Sequence, residues 1–522
     1  MTTRRTYYVT TPIYYVNDVP HIGHSYTTIA ADVLARFFRQ AGRDVRFLTG
    51  TDEHGIKIVK ASAAKNMTPR QLADTVVVGF EELWRDLNIT HDDFIRTSEP
   101  RHEKRVQAVV QRLLDRDEIY LGSYQGWYDE GQEEFVTEST ARENDYTSPM
   151  NGKPLVRYEE PGWFFRLGKW VGTLLEHIDA HPGFILPSSR SNEVVSKLKM
   201  GVDDLSISRL ADKVGGWGVR MPNDPDHTVY VWIDALSNYL TALGWPAIGD
   251  DDDEARLRYW PASVHLIGKD ILWFHAVYWP CMLLALDMPL PERVFAHGWW
   301  TSEGKKMSKS LGNFISREVI AELCDEYGRD AYRYFLLREV PFGADGDFSR
   351  ASLRGRYNSE LANGIGNLLS RTTNMISRYF DGALPEAVDV GAAEQPVIGA
   401  ATALREGAEA MMARCEFHAY LAAVLAVTQA TNRYIDETEP FKLAKDPHQR
   451  ERLGTILNTC AQAVYIILAH LAPVMPDVAA AGLAHFEDGA AAGGTLSERT
   501  AWGALPAGRI VSKGPPLIPR KS

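Results

Sequence analysis

Residues 7–48 read YYVTTPIYYVNDVPHIGHSYTTIAADVLARFFRQAGRDVRFL, and this stretch decides the fold. Its start, residues 7–11, is a β-rich run. Apolar residues then recur every three or four positions from Ile22 to Phe37, which indicates one buried helix face that ends near Gly42. Residues 45–48 indicate the next strand. A strand, a helix and a strand in so short a stretch predict a βαβ unit and therefore a parallel sheet.

The composition is that of a large globular protein. Of its 522 residues, 45% are hydrophobic and 24% are charged, which predicts several domains with buried cores. The net charge of -12 argues against a general affinity for polyanions, although a local basic face can still bind RNA. The four cysteines are far apart in sequence, which argues against a disulfide framework or a cysteine zinc site.

The sequence gives no sign of export or membrane insertion. No apolar signal segment follows the N-terminus, and residues 460–476 suit a buried helix better than a membrane span. We therefore expect a cytoplasmic protein with no membrane contact.

The alternation of strand and helix breaks at residues 122–218, where short aromatic and acidic segments indicate an insertion. Strand-like runs return at residues 227–235, HTVYVWIDA, and at residues 263–270, SVHLIGKD, and we assign both to the second half of the sheet. Amphipathic helical periods dominate from residue 352, whereas the Ala- and Gly-rich residues 478–495 predict a loose connection. The predicted fold class is α/β: a Rossmann-type parallel sheet with an insertion, followed by an all-α bundle.

The first chemical motif, PHIGH at residues 20–24, lies between the first predicted strand and helix. A helix N-terminus at the carboxyl end of a parallel strand favours anions. His21 and His24 share one face, and Gly23 removes a side chain so that a nucleotide can approach closely. Imidazole N–H groups can donate to phosphate oxygens. Alone, such a pair is more often two surface histidines that cap a helix, and a metal pair would lack a third ligand.

The second motif is GKKMSKSLG at residues 304–312. The flanking glycines allow the loop to move as a unit. Lys306 and Lys309 place two ammonium groups near each other, which suits the negative charge that grows on phosphate oxygens during phosphoryl or nucleotidyl transfer. A single run of this kind is usually a solvated lysine loop.

Together the motifs are far more specific than either alone. His21–His24 resembles the HIGH signature of class I aminoacyl-tRNA synthetases, and residues 306–310 match their KMSKS loop. Longer stretches resemble the methionine-specific family of that class: residues 8–24, 48–55, 229–239, 267–275 and 297–313. The resemblance covers nearly the whole chain. It implies a methionine–tRNA ligase activity (EC 6.1.1.10) that forms methionyl-adenylate from methionine and ATP, with Mg²⁺, and then loads the 3′ end of tRNA(Met), including initiator tRNA.

The resemblance also implies the roles of particular residues in a reaction that needs no nucleophilic side chain. The catalytic set would be His21, His24, Lys306 and Lys309. The ATP site would add Gly23, Gly268, Asp270 and Met307. The methionine pocket would comprise Ile13, Tyr15, Asp52, Trp232, Ala235, Leu236, Tyr239, Ile271 and His275, with Asp52 paired to the substrate ammonium. Without the flanking motifs, the aromatic positions would be interpreted as ordinary core.

The helical part is expected to read the anticodon. Asn363, Asn367 and Arg371 are spaced by four, so they would share one helix face and could hydrogen-bond unstacked base edges. Nearby arginines make this stretch locally basic: Arg350, Arg354, Arg356, Arg371 and Arg378. Phe441 stands where the family often has a tryptophan; it can stack on a base but lacks the indole N–H. Without the resemblance, a solvated polar face would be the favoured interpretation.

A second departure concerns zinc. Many relatives carry a cysteine zinc knuckle in the insertion, whereas here the corresponding positions are Asp129, Gln132, Ser148 and Asn151. Since Gln and Ser are poor zinc ligands, we expect no structural zinc and no other protein-bound metal. The chain stops soon after the helical part, which favours a monomer.

The resemblance divides the chain into six expected regions. They are the first half of the Rossmann catalytic domain at 1–117, the connective insertion at 118–225, the second half at 226–297, the KMSKS and stem-contact region at 298–350, the helical anticodon-binding domain at 351–505, and a tail at 506–522.

Three rival interpretations remain. Synthetases for leucine, isoleucine or valine usually carry a larger insertion, and the cysteine enzyme would need zinc ligands in its pocket. A regulatory or RNA-binding relative that lost catalysis would not need His21, His24, Lys306 and Lys309 intact. A small nucleotidyltransferase of the same superfamily would lack the helical half.

Overall fold

The computed structural model describes residues 5–17, 19–132, 134–136, 138–248, 254–307, 312–486 and 494–521. Its strands are β1 Thr6–Thr10, β2 Tyr14–Tyr15, β3 Asp44–Asp52, β4 Asp93–Arg96, β5 Ile119–Asp129, β6 Glu134–Val136, β7 Val156–Phe165, β8 Ile185–Leu186, β9 Leu205–Ser206, β10 Ser208–Leu210, β11 Arg220–Met221, β12 Asp224–Val229, β13 Val264–Gly268, β14 Val294–His297, β15 Trp300–Ser302 and β16 Gly346–Phe348.

The α-helices within the same ranges are α1 Ile22–Gln40, α2 Ile56–Ala64, α3 Pro69–Asp86, α4 Pro100–Asp115, α5 Glu138–Glu143, α6 Leu167–Ala180, α7 Ser188–Lys199, α8 Val231–Thr241, α9 Glu254–Leu257, α10 Trp279–Ala285, α11 Arg317–Tyr327, α12 Arg329–Glu339, α13 Arg350–Arg356, α14 Asn367–Tyr379, α15 Gln395–Ala413, α16 Phe417–Thr438, α17 Pro440–Leu443, α18 Arg450–Leu471, α19 Pro476–Leu483 and α20 Leu496–Arg499. The π-helical segments Phe274–Tyr278 and Tyr357–Gly366 precede α10 and α14.

A parallel sheet forms the centre of the N-terminal half. In it, β3 lies between β4 and β1, and β13, β14 and β8 follow on the other side of β1. The predicted βαβ unit is confirmed, because β1 and β3 pair in parallel from Thr6 opposite Asp44. Helix α1 connects them and ends before Gly42, whose φ of 84° suits a residue without a side chain. All carboxyl ends of these strands therefore face one edge, where α1 begins.

The predicted insertion has its own antiparallel sheets, one in the order β6-β5-β7-β9 and one in the order β10-β12-β11. The prediction for residues 227–235 was wrong. Only β12 is a strand there, in the small antiparallel sheet, and α8 begins at Val231. The β-branched and aromatic residues favoured a strand, but burial of α8 on nearly every side overrides that local preference. The run at residues 263–270 does contain a central strand, β13.

The C-terminal half is helical, as predicted. The helical span of residues 447–471 is long and apolar enough to cross a membrane, yet the 18-residue apolar window within it is completely buried among its neighbours, as a core helix is. The expectation of a loose connection at residues 478–495 was wrong for its first part, where α19 continues to Leu483 and a 3₁₀ turn follows. Residues 487–493 lie outside the described part of the chain.

A buried ion pair joins the two halves. Arg333 on α12 donates to Asp32 on α1 at 2.7 Å, and both side chains are fully buried. The same guanidinium donates to the carbonyls of Pro473 and Val474, which follow α18. Since α1 carries the histidine motif at its N-terminus, this contact fixes the motif relative to the helical half.

Candidate active site

The N-terminus of α1 is capped by the two motif histidines. His21 is the N-cap residue, and its Nδ1 accepts a hydrogen bond from the Gly23 amide at 3.0 Å. The Nδ1 of His24 accepts one from the His21 amide at 3.1 Å. Because Nδ1 is an acceptor in both rings, the neutral imidazoles carry their proton on Nε2. Capping, which the sequence also allowed, thus orients both rings as Nε2–H donors.

Burial determines the charge of His24, and close packing determines why residue 23 is a glycine. Burial lowers the pKa of His24 well below its usual value, and the proximity of His21, a second titratable ring, lowers it further. His24 is therefore neutral at pH 7 and acts as a dipolar donor. The ring centroids lie 4.0 Å apart, and a methyl group on Gly23 would lie 2.9 Å from Cε1 of His21. The glycine is needed for this close approach.

A cavity of about 580 Å³ opens beside this helix terminus, at the carboxyl ends of β1, β3, β13 and β14. The structure brings together there all the residues predicted for the methionine pocket: Ile13, Tyr15, Asp52, Trp232, Ala235, Leu236, Tyr239, Ile271 and His275. Of the residues predicted for ATP, it brings to the same cavity His21, Gly23, His24, Gly268 and Asp270. One cavity thus combines an apolar aromatic wall with a helix N-terminus that favours anions.

The aromatic wall is fixed by hydrogen bonds. His275 Nδ1 donates to the Ile271 carbonyl at 3.0 Å, so its Nε2 accepts from the Tyr239 hydroxyl at 2.7 Å. Burial lowers the pKa of His275 to about 4, and the Ile271 carbonyl and Asp270 oppose the shift only in part. Trp232 stacks on Phe274 with ring centroids 3.7 Å apart. The wall is therefore uncharged at neutral pH and suits an unbranched thioether side chain.

Just after β13, Asp270 accepts a hydrogen bond from the indole N–H of Trp299 at 3.0 Å. A methyl group on Gly268 would lie 2.5 Å from the same carboxylate oxygen. Lys269 points elsewhere, since its ammonium pairs with Asp345 at 2.7 Å and lies 4.5 Å from the Trp299 ring centroid. Gly268 thus leaves room for the Asp270 carboxylate, which serves as a hydrogen-bond acceptor at the end of β13.

The lysine loop is described only in part. Lys306 is exposed, Met307 packs against the core, and neither lines the cavity. Lys309 and its neighbours at 308, 310 and 311 lie outside the described residues. The side-chain amide of Asn313 donates to the Ser302 carbonyl at 3.3 Å and to the Lys306 carbonyl at 3.2 Å, which joins the two ends of the loop.

The residues predicted to read the anticodon lie in the helical half, far along the chain from the cavity. Asn363 and Asn367 are exposed, and Arg371 donates to Asp436 of α16 at 2.9 Å. Phe441, at the start of α17, is 45% exposed. Asn363 lies in the π-helical segment, whose wider turns change its angular spacing to Asn367 from that of a regular α-helix.

The nearby basic residues are less available than their number suggests. Arg350 pairs with Glu322 at 3.1 Å, and Arg356 pairs with Glu360 at 2.9 Å. Arg354 and Arg378 are exposed. The predicted basic stretch is therefore partly neutralised by carboxylates on neighbouring helices.

The four insertion positions considered as zinc ligands from the sequence form a cluster centred on a carboxylate. Asp129 is buried and accepts hydrogen bonds from the Gly131 amide at 2.8 Å, the Gln132 amide at 3.2 Å and the Ser148 hydroxyl. Ser148 in turn accepts from the amide of Asn151 at 3.3 Å. Asp129 and Ser148 thus cap two turns of the insertion. A set of donors that contains only one carboxylate beside hydroxyl and amide groups does not fit zinc. Across the described ranges, His, Cys, Asp and Glu form no group of three suited to a metal ion.

Several cavity residues escaped the sequence analysis. They include Asn17, Thr27, Lys57, Gln132, Met150, Asn238, Phe274, His297 and Trp299. Asn238 is 1% exposed, its amide donates to the Ala235 carbonyl, and its Oδ1 accepts no hydrogen bond from the described part of the chain. Helical spacing from Ala235 would have identified Asn238 if α8 had been recognised as a helix. Gln132 and Met150 come from the insertion, and no local pattern connects them with the cavity.

Comparison with known proteins agrees with this geometry. A family model described as class I tRNA synthetases (M) matches residues 7–149 and 143–373. The methionine–tRNA ligase of Caldanaerobacter subterraneus subsp. tengcongensis is 46% identical over 522 residues, which cover 99% of this chain and 79% of that protein. The Rickettsia felis methionine–tRNA ligase is 46% identical over 480 residues, 91% of each chain.

A solved structure supports the same assignment along the full chain. The Mycobacterium tuberculosis methionyl-tRNA synthetase in complex with methionyl-adenylate superposes with a TM-score of 0.91 at 38% identity, and covers 99% of this chain and 100% of its own. The free form of that enzyme gives a TM-score of 0.86 at 36% identity, with 99% of both chains covered. By sequence, fold and the residues gathered in its cavity, the chain belongs to the methionine–tRNA ligase family of class I tRNA synthetases.

Proposed function

We propose that the chain activates methionine with ATP to methionyl-adenylate and then transfers methionine to the 3′ end of tRNA(Met), including initiator tRNA. The observation that carries the proposal is the single cavity in which a donor-lined helix N-terminus adjoins a neutral aromatic wall. The methionyl-adenylate bound by the M. tuberculosis relative supports the identity of the intermediate.

In the first step, a methionine carboxylate oxygen attacks the α-phosphorus of ATP, the bond to the β-phosphate oxygen breaks, and pyrophosphate leaves. Asp52, buried at the end of β3, would bind the substrate ammonium, while Trp232, Tyr239 and His275 enclose the thioether. His21 and His24 would donate from Nε2 to phosphate oxygens. Such donors act mainly by positioning the reactants and stabilising developing charge.

The second step and the lysine loop complete the mechanism. Lys306 and Lys309 would bind the phosphates in the transition state, with Gly268, Asp270 and Met307 completing the nucleotide site. Mg²⁺ would arrive with ATP as its counterion. The 2′-hydroxyl of the terminal adenosine would then attack the methionyl carbonyl carbon, and AMP would leave.

Recognition of tRNA would use the helical half. Asn363, Asn367, Arg371 and Phe441 would contact the anticodon, and Arg371 would have to leave Asp436 to do so. We assign catalysis to residues 1–117 and 226–297, the insertion to 118–225, the lysine-loop region to 298–350, anticodon binding to 351–505 and the tail to 506–522. We further propose a cytoplasmic monomer without structural zinc, since Asp129 and Ser148 already bind each other.

Pyrophosphate exchange with a panel of amino acids tests the proposal. We expect exchange that depends on methionine, with leucine, isoleucine, valine and cysteine inactive. Exchange driven by a different amino acid would assign the chain to another synthetase, and absence of any exchange would favour a regulatory relative. Aminoacylation of tRNA(Met) but not of other tRNAs would complete the assignment.

A further inference from the structure

A buried carboxylate next to the cavity lies between two histidines. Asp234 Oδ2 is 2.7 Å from Nδ1 of His54, and its Oδ1 is 2.8 Å from Nε2 of His102. The exposed fractions of these residues are 1%, 2% and 0%. His102 uses its other nitrogen to contact the Thr241 hydroxyl at 2.7 Å. Both oxygens of the carboxylate are therefore occupied, and the cluster is shielded from water.

The cluster connects two walls of the methionine pocket. His54 follows Asp52 by two residues, in the turn that leaves β3. Asp234 lies on α8, directly between Trp232 and Ala235, which both face the cavity. The contact between His54 and Asp234 therefore joins the segment that carries the ammonium-binding carboxylate to the helix that carries the aromatic wall.

The two histidines differ in what they connect. His54 lines a small cavity of about 30 Å³ behind the pocket, its Nε2 lies 3.5 Å from Glu103, and its ring contacts the edge of Trp217. His102 belongs to α4 and contacts α8 a second time through Thr241, seven residues after Asp234. Only His54 is covalently close to Asp52, so His102 provides a comparison within the same network.

The charges of the cluster favour an ion pair. Burial opposes protonation of His54, but the charge of Asp234 and the hydrogen bonds to Asp234 and Glu103 outweigh it and raise the pKa of His54. Burial likewise opposes ionisation of Asp234, but His54 and His102 lower its pKa. A buried ion pair of this kind adds little net stability compared with apolar packing. It does require its two partners to keep one distance and orientation.

We infer that His54 is a positioning residue for methionine: its ion pair with Asp234 sets the distance between Asp52 and the aromatic wall of α8. The inference rests on the proposed function, because it assigns the pocket to methionine. His54 does not contact the reacting atoms, and it acts on the substrate through Asp52 and α8. It follows that the cluster affects binding of the amino acid more than binding of ATP.

The test compares His54→Gln with His102→Gln in pyrophosphate exchange. His54→Gln should raise the KM for methionine about tenfold, the size of a coupling of roughly 1.4 kcal/mol, and leave the KM for ATP unchanged. His102→Gln should lower Tm about as much as His54→Gln does, because both substitutions break a buried contact to Asp234. It should, however, leave the KM for methionine within about twofold of the wild-type value. A merely structural role for His54 would not produce this split.

Asp234→Asn provides a second variant of nearly the same shape, which removes the charge of the pair. It should raise the KM for methionine in the same direction as His54→Gln, even if His54→Gln folds poorly. An equal effect of His54→Gln and His102→Gln on that KM, or an equal effect on both substrates, overturns the inference. The proposed function and the role of His54 are tested separately. Failure of the wild-type protein to exchange pyrophosphate with methionine contradicts the proposed function, whereas the variants test only the role of His54.

Discussion

The backbone amide of Ile22 donates a hydrogen bond to the carbonyl of Ile315 at 3.0 Å, and His21 forms an isolated antiparallel bridge with Ser316. The segment that follows the lysine loop therefore pairs directly with the first turn of α1. Two motifs almost 300 residues apart are held together by main-chain contacts, independently of their charged side chains. Asn313 donates to the Lys306 carbonyl, so the described start of the lysine loop is connected to the same segment.

Gly23→Ala should reduce the rate of pyrophosphate exchange by about 10²-fold, because the added methyl would force the His21 ring to move from its capping position. The KM for methionine should change little, since the aromatic wall is untouched. Gly172→Ala in α6 is the control, because a methyl there meets nothing within 4 Å. If Gly23→Ala retained full kcat, close packing at the histidine motif would be irrelevant to catalysis.

Lys306→Ala and Lys309→Ala should each lower kcat of methionine activation by about 10²- to 10³-fold, since each would remove charge stabilisation of the transition state. Equilibrium binding of methionine, measured by calorimetry, should stay the same. Lys445→Ala, an exposed lysine in the helical half, should leave both measurements unchanged. Weaker methionine binding without any loss of kcat would assign the lysines to substrate recognition instead.

Arg371→Ala should lower kcat/KM for aminoacylation at least about tenfold, the cost of a lost contact to a base, and leave pyrophosphate exchange intact. Arg433→Ala is a matched control on α16, because among the described residues that arginine pairs only with Glu437, along its own helix. Asp436→Asn should improve tRNA binding, since it removes the charged partner of Arg371 and releases that guanidinium. Equal losses in both assays would exclude Arg371 from the anticodon site.

The sequence predicted the central βαβ unit because α1 and its flanking strands have consistent local patterns. It failed at α8, where Tyr230, Val231 and Ile233 favour a strand locally, while the helix depends on burial against the sheet. The residues that the resemblance assigned to a methionine pocket line one cavity, although the helical structure of α8 was not predicted. Long-range contacts such as Asp234 with His54 have no sequence signal, because 180 residues separate the partners.

Asp129→Asn should open the two turns of the insertion, since it removes the charged acceptor of Ser148 and two backbone amides. Hydrogen exchange at residues 129–151 should accelerate about tenfold, consistent with loss of about 1–2 kcal/mol. Asp145→Asn is the control, because it changes the charge at an exposed position in the same segment. Stoichiometric zinc in the purified protein, together with loss of folding on its removal, would contradict a carboxylate-centred cluster.

The buried imidazole of His470 in α18 should make the protein less stable in acid. Burial lowers its pKa to about 3, so between that pH and the usual value of 6.5 the unfolded chain binds a proton that the folded chain does not. The free energy of unfolding should therefore fall as the pH decreases through this range, by up to about 5 kcal/mol from this residue. His470→Leu removes that contribution, and Tyr420 keeps its hydrogen bond to the backbone carbonyl at position 470.

The measurement is Tm from pH 7 to pH 4, where His470→Leu should lose less Tm than the wild type. His448→Leu is the control, because that side chain is exposed in the same helical half. Since the folded protein keeps His470 neutral, its stability is fully present above pH 6.5 and is lost on acidification. Parallel curves for the wild type and His470→Leu would mean that His470 is protonated in the folded state despite its burial.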